Sequence, residues 1–499
     1  MICRASIAHA RRALATGLTT TSVLSLSFTA PMAAPPPLAV PVSSEQVGPG
    51  GQRTFSGYLS SLERSNYLFG DLFGLRTALS QWGISIAFQE SSEILANATG
   101  GLVTQPFYDG LTQFILQLDT QRAFGWYGGL FNASALDLHG FNASANNFLT
   151  LQTQSGISGD PALRLWELWY DQKMLPEDRL SIRVGQQSLD QEFIANLNGI
   201  YFMATMFGWP IIPSANLPGG GPAYPLSALG VRVKYRPVNP ITVLAGVFNG
   251  SPTWTSMGDA QALNPRGTYF GTGDGVMAIF ELQYAYPSLG LMEEPGSDGI
   301  PLGGTYKIGV WYNSLGFNDL RFDNTGLSLA DPNSTGAPMT HSGDYMLYAL
   351  ADQILWVQAD DPARSVSAFG RVMWTPQADR NLIDFAMNAG LVYHDPLPNR
   401  PDDVLGLGMG YAHVSPVASA LDADTTFFNE VGGTPVNQIV RKSETYLELT
   451  YLAQVRPWWQ IQFDVQYVFN PGGGIVNPNV PTQVLADELV FGMRTNVLF

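Results

Sequence analysis

From Trp82 onward the chain alternates apolar and polar residues with a period of two. In WGISIAF, Trp82, Ile84, Ile86 and Phe88 share one side, and Gly83, Ser85 and Ala87 the other. TQFILQLDT sets Phe114, Leu116 and Leu118 against Gln113, Gln117 and Asp119. DRLSIRVGQ sets Leu180, Ile182 and Val184 against Arg179, Ser181 and Arg183, and GVMAIFELQY sets Val276, Ala278, Phe280 and Leu282 against Glu281 and Gln283. The pattern is clearest near the end. Leu447, Leu449, Tyr451, Ala453 and Val455 oppose Glu444, Glu448 and Gln454, and Trp459, Ile461, Phe463, Val465 and Tyr467 oppose Gln460, Gln462, Asp464 and Gln466. A period of two is the signature of strands with one apolar face. Runs of about ten residues are long enough to cross a bilayer at a tilt.

Before Trp82 the period differs. In SNYLFGDLFGLRTALSQWG, Leu68, Leu72, Leu75 and Leu79 are spaced as one face of a short helix over residues 65–81, with Gly83 as its stop. The residues ahead of it predict a secretory signal over 1–33 and a Pro/Gly/Ser-rich leader over 34–64. Arg4, Arg11 and Arg12 precede an uncharged, moderately apolar stretch, and the cleavage falls between Ala30 and Ala39. Residues 82–499 are then one β domain.

Alternation is shared by soluble sandwiches and transmembrane barrels. Three features favour the barrel. Aromatics gather at strand ends (Trp166, Trp169 and Tyr170; Trp458 and Trp459), as at a membrane interface. The polar face is rich in Gln, Asp, Glu and Arg, as a wet lumen requires. Short turns such as RPVNP (236–240) and VRP (455–457) alternate with long irregular loops such as 206–227 and 250–272.

Composition agrees with this class. Only 13% of the 499 residues are charged, against 12% aromatic, with 52 Gly and 34 Pro, a mix that suits strands and turns more than helices. No run of about 18 apolar residues follows the leader, so a helical membrane span is excluded. The only cysteine is Cys3, inside the expected signal, which rules out disulfide and thiol chemistry after export. A formal charge of −16 opposes nucleic-acid binding.

Several segments resemble the carbohydrate-selective porin family, OprB. They are GDLFGLRTALSQWGI (70–84), RLWELWYDQKMLPEDRLSIRVGQQSLDQEF (164–193), PLPNRPDDVLGLGMGYAHVS (396–415) and ETYLELTYLAQVRPWWQIQFDVQYVFNPGGG (444–474), together with the ending FGMRTNVLF. The resemblance implies a sixteen-stranded antiparallel barrel in a Gram-negative outer membrane, with its short helix on the periplasmic side. It also implies passive diffusion of monosaccharides, glucose above all, into the periplasm. The family carries a basic residue after the glycine of SIRVG, where this chain has Gln186.

No G-x-S-x-G elbow or H-E-x-x-H motif occurs, and the five His are scattered, so a catalytic centre is not expected. The competing readings are a barrel hydrolase and a secreted glycan-binding β protein. The acid pairs Asp402/Asp403 and Glu293/Glu294 with Asp298 read as loop acids, although paired carboxylates also serve glycoside hydrolysis. In RPDDV an Asp is expected to cap a turn while Arg400 pairs with a carboxylate. LDADTT (421–426) offers calcium ligands, but without the remaining spaced donors. No metal or cofactor is expected.

A sugar channel needs planar polar groups for hydroxyls, rings for the pyranose face, and binding weak enough for exit. Glu167, Trp169, Asp171 and Arg183 concentrate these types; Asp119, Glu281 and Arg371 are further lumen candidates, and Arg76 would face the lumen from the helix unless that helix simply packs as a cap on the barrel floor. The expected partners are sugars, outer-membrane lipids and the barrel-assembly machinery, with no nucleic acid and the choice of monomer or homotrimer left open. On the closing strand, Leu489, Phe491, Met493, Thr495, Val497 and Phe499 are expected to face lipid, and Arg494 and Asn496 the lumen. Phe499 is assigned to barrel closure and assembly.

Overall fold

The computed structural model describes residues 66–255, 258–286, 302–359, 361–431 and 440–499. The expected signal and leader, and the acids Glu293, Glu294 and Asp298, lie outside them. Alternating segments become strands β1 (Ile84–Thr99), β2 (Pro106–Asp119), β3 (Gly129–Gly140), β4 (Ala162–Met174), β5 (Leu180–Gln187), β6 (Ala228–Val238), β7 (Ile241–Asn249) and β8 (Val276–Tyr286). They continue as β9 (Gly304–Asp323), β10 (Pro338–Gln358), β11 (Asp361–Trp374), β12 (Ile383–His394), β13 (Val404–Val414), β14 (Ser443–Arg456) and β15 (Trp459–Phe469). A two-stranded hairpin, β16 (Val476–Asn477) and β17 (Val480–Val484), decorates the last loop before β18 (Glu488–Leu498).

Each wall strand pairs antiparallel with its sequence neighbours, and β18 pairs with both β15 and β1, closing a barrel of sixteen strands. Closure removes the edges that a bilayer cannot hydrate. The alternation maps onto the wall as expected. On β1 Glu93 is 1% exposed while its neighbour Ile94 is 45% exposed, and on β2 Gln113 and Phe114 stand at 3% and 41%. The buried set faces inward against loop residues and the exposed set faces outward.

At one end the connections are tight, as at Asn239–Pro240 between β6 and β7 and Pro457–Trp458 between β14 and β15. At the other end they are long, including 141–161, 188–227 and 250–275. The tight-turn end also holds helix α1 (Leu75–Gln81). Regular helix is confined to these seven residues of the expected 65–81, because Gly70 and Gly74 sit at φ 55° and 95° and interrupt it.

Helices that were not legible as such include the short α2 (Ile211–Asn216) and the 16-residue α3 (Pro416–Val431) in the loop between β13 and β14. The LDADTT stretch lies inside α3, and its acids already have partners. Asp422 takes both Nε and Nη2 of Arg441 at 2.8 Å, and Asp424 pairs with Arg321 at 2.8 Å. In RPDDV Arg400 forks onto Asp403 as expected, but the backbone N–H that Asp403 accepts, at 3.0 Å, is that of Gln454 on β14 and not one of its own turn.

The seam is locked from the tight-turn end. Arg76, only 3% exposed, donates to the main-chain oxygens of Gly70 (3.1 Å), Ile86 and Phe499, and stacks on Tyr67. Its side chain therefore clasps α1, β1 and the residue after β18, and does not enter the lumen as expected. The Phe499 N–H donates to Phe88 O at 2.8 Å, and its ring lies 5.2 Å from Phe88 and 5.4 Å from Phe69.

Arg76→Met leaves three acceptors without their donor, an expected loss of about 2–3 kcal/mol. Heat-modifiable gel mobility should convert at a lower temperature, and removing Phe499 should lower the yield of inserted barrel. An unchanged conversion temperature for Arg76→Met would refute the clasp.

Candidate functional site

Segments 141–161 and 188–227 fold into the barrel and carry much of its buried apolar surface. Phe202, Met206 and Phe207 pack on Phe369, Val392 and Tyr446 of the wall, and Phe193, Ile194, Trp209 and Ile212 join a second cluster with Trp311 and Met346. The wall makes room for them. The sequence GLGMG places Gly406, Gly408 and Gly410 on the inner face of β13, and a Cβ there would stand 3.0, 2.5 and 2.3 Å from Phe202, Phe207 and Met206.

These segments are largely irregular, so their main-chain groups lack ladder partners and need others once buried. Wall side chains supply them, sorted by charge. Carboxylates accept N–H groups: Asp109 from Asn142 (2.6 Å) and Ala143 (3.1 Å), and Glu444 from Leu151 and Gln152 (both 2.7 Å). Glu448 accepts from Met203 (2.5 Å) and Ala204 (3.1 Å), and Asp352 from Leu197 (3.0 Å) and Asn198 (2.9 Å). Cations donate to carbonyls: Arg371 to Ile194 (2.6 Å), Gly208 (2.8 Å) and Met206, and Lys307 to Ala195 (2.7 Å).

Two of the expected lumen residues are thereby placed as anchors. Glu281 is fully buried and accepts from Ile194 N–H (2.9 Å) and the Tyr348 hydroxyl (3.0 Å). Arg371 is 1% exposed under three carbonyls of 188–227. Asp119 sits at the tight-turn end, where it caps a one-turn helix by accepting from the N–H groups of Gln121 (2.8 Å) and Arg122 (3.1 Å).

Glu167, Trp169, Asp171 and Arg183 are brought together. β4 presents the first three on its inner face and β5 presents Arg183 beside them. Arg183 pairs with Asp171 at 3.1 Å and lies 3.9 Å from the Trp169 ring centroid. That occupied ring face holds the guanidinium in place and is closed to a sugar. Glu167 accepts the Ser188 N–H at 3.0 Å, tying the start of 188–227 to the wall.

Three members of the cluster were missed. Arg232, on β6, pairs with Asp171 (2.8 Å) and Glu192 (2.6 Å) and donates to the Ser181 hydroxyl at 2.6 Å. Glu192 also faces Arg183 at 3.5 Å, and Lys234 is exposed two residues beyond Arg232. VRVKY carries a readable signal for Arg232 and Lys234, since both alternate with Val231, Val233 and Tyr235. Glu192 lies in an irregular segment with no period to read.

Three carboxylates (Glu167, Asp171, Glu192) thus gather with three cations (Arg183, Arg232, Lys234) between β4, β5, β6 and the start of segment 188–227. Burial raises the proton affinity of Glu192, but Arg183, Arg232 and Lys234 outweigh it and bring its pKa down to about 2. Gln186 is turned away from this cluster: its amide donates to Trp166 O (3.0 Å) and Gly267 O (2.8 Å) and is 1% exposed.

The sequence model described as "Carbohydrate-selective porin, OprB family" matches residues 105–499. Porin B of Pseudomonas aeruginosa is 24% identical over 455 residues, covering 87% of this chain and 92% of that protein. Among solved structures, the high-pH structure of Pseudomonas putida OprB superposes with a TM-score of 0.73 at 22% identity, over 87% of this chain and 99% of that one. The low-pH structure of the same protein gives a TM-score of 0.51 at 18% identity with the same coverage.

Two predictions follow from the anchoring. Arg371→Met strands three carbonyls, so segment 188–227 should loosen, and single-channel recordings should show higher and noisier conductance; a wild-type trace would exclude the anchor. Asp190, in the same segment, is pushed up to about 7 by burial. Its ordinary value is about 3.9, so the fold favours the neutral acid. Stability should fall as pH rises from about 4 to about 7, and Asp190→Asn should flatten that slope in thermal melts.

Proposed function

The chain belongs to the OprB family of carbohydrate-selective porins, and from that premise we propose how its lumen sorts solutes. The protein is an outer-membrane sugar porin, a β-barrel channel for passive diffusion, and the family match favours this over a barrel hydrolase or a secreted glycan-binding protein. The finer reading concerns the residues that meet the sugar and the preference for monosaccharides such as glucose.

In this reading the constriction is the ion cluster between β4, β5, β6 and the start of segment 188–227. The observation that carries it is the graded exposure of the cluster. The side chains of Asp171 and Arg232 are 9% and 2% exposed, while those of Arg183 and Glu192 are 15% and 22%, and Lys234 is open. The inner pair therefore holds geometry, and the outer three keep donor and acceptor capacity for a passing hydroxyl.

The balanced charges supply both donors and acceptors without a net attraction for ions. A neutral polyol satisfies both at once, whereas a bare ion meets one repelling partner for each attracting one. Trp169 supports the set by holding Arg183 flat. Glu167, Asp119, Glu281, Arg371 and Arg76 support the channel as structural groups, without touching the sugar.

Planar-bilayer conductance with and without glucose tests the assignment. Arg183→Ala, Glu192→Gln and Lys234→Ala should each weaken sugar block several-fold, about 1 kcal/mol per lost hydrogen bond. Glu281→Gln should change thermal stability and leave block as it is. Unaltered block in all three outer variants would remove the cluster as the constriction, and open channels indifferent to every sugar would remove the selectivity.

A further inference from the structure

β9 and β10, at 20 and 21 residues, are the longest strands of the wall and about twice what a tilted bilayer crossing needs. Their surplus stands at the long-loop end, which is the extracellular end of an outer-membrane barrel. Two register shifts in the β9–β10 pair, at Pro338/Thr340 and Ser342/Asp344, flank His341. Shifts of this kind turn a side chain out of the regular alternation. His341 is thereby set against two aspartates from other elements, Asp319 on β9 and Asp379 in the connection 375–382 between β11 and β12.

Asp319 Oδ2 lies 2.8 Å and Asp379 Oδ2 3.7 Å from His341 Nε2, and one donor atom from each residue falls within 4.8 Å of the others. Among the described residues this is the one place where three such donors converge. An imidazole nitrogen carries at most one hydrogen, so His341 Nε2 satisfies one of the two carboxylates and not both. A metal ion satisfies both. Ligands about 2.0–2.1 Å from a tetrahedral zinc stand roughly 3.3 Å apart. The distances of 2.8 and 3.7 Å bracket that value.

The surroundings hold the donors in place. Asp319 is 5% exposed, and its Oδ1 accepts the N–H groups of Arg321 (2.8 Å) and Phe322 (2.7 Å), which leaves Oδ2 for the site. Arg380 donates to Asp379 Oδ1 (2.9 Å) and Oδ2 (3.2 Å), and to Gly343 O at 2.7 Å, so the carboxylate is oriented from β10. The Leu320 N–H donates to Asp379 O at 2.8 Å and brings the connection onto β9. Outer partners of this kind fix the ligands of protein metal centres. Arg321 is engaged elsewhere, with Asp424, so two carboxylates against the guanidinium of Arg380 leave the site net negative. His341 and Asp379 are half-buried, which leaves a further coordination position to water.

We propose that Asp319, His341 and Asp379 form a site for one divalent transition metal ion, with Zn²⁺ as the best match, at the extracellular mouth. One nitrogen and two carboxylate oxygens suit zinc and its neighbours, whereas calcium takes about six to eight oxygens. On binding, His341 keeps its proton on Nδ1 and gives the Nε2 lone pair to the metal. The ion staples the 375–382 connection to β9 and β10. None of its ligands belongs to the ion cluster on β4–β6, so the site is independent of the proposed constriction.

The test uses the full chain without a histidine tag, folded in detergent micelles and freed of metal with a chelator. Isothermal titration with zinc chloride alone, and native mass spectrometry of the same sample, should show one zinc per chain, retained against excess calcium. His341→Gln and Asp379→Asn, on two different elements, should each weaken uptake roughly tenfold or more. His413→Gln is the control, since His413 faces a single carboxylate, Asp384, at 2.6 Å. It should bind zinc as the unaltered chain does. Heat-modifiable mobility verifies that each variant is folded. No saturable zinc uptake, displacement by calcium, uptake that either His341→Gln or Asp379→Asn leaves unchanged, or an equal loss in His413→Gln would each overturn the proposal.

Discussion

Irregular backbone buried inside a barrel needs hydrogen-bond partners that no neighbouring strand provides, and this need organises the lumen. Asp109, Asp352, Glu444 and Glu448 take the N–H groups of the inward segments, while Arg371 and Lys307 take their carbonyls. An unmet group of this kind costs about 1–3 kcal/mol, and each wall charge meets one or more of them. Polar residues on the inner face are thus first a scaffold for the loops and only locally a surface for solute.

The same need accounts for the position of the ion cluster. Where segment 188–227 leaves β5, Glu192 is held by Arg232 and Arg183, and the segment's start is pinned by Glu167. The ion cluster holds the start of the inward segment against the wall. Closure of the wall is tied to it as well: Arg494 on β18 pairs with Glu93 on β1 at 2.8 Å and reaches Met203 O at 3.4 Å. Arg494 faces inward as its alternation foretells, but it is packed against protein and only 1% exposed.

The wall was legible because a period of two is enforced by lipid on one side and by filled space on the other. Phe114, Leu116, Val465 and Phe491 could be assigned outward from their neighbours alone. Four residues of the ion cluster were legible for the same reason, since Glu167, Trp169, Asp171 and Arg183 lie on regular strands. What stayed hidden depends on contacts distant in the chain. Glu281 and Arg371 looked like lumen charges because nothing nearby shows that Ile194 will sit against both. Asp119 looked the same, although its carboxylate accepts from the next turn's own N–H groups. The helix α3 was hidden by DADTT, whose acids are neutralised by Arg321 and Arg441 from elsewhere.

The glycines of β13 bind two histories together. Because Gly406, Gly408 and Gly410 lie under Phe202, Phe207 and Met206, enlarging the wall there demands a smaller side chain on the segment above it. Neither partner can drift alone without lifting the segment from its anchors. The bore of the channel is therefore inherited as matched pairs of positions some two hundred residues apart, and a change of calibre requires compensation on both surfaces.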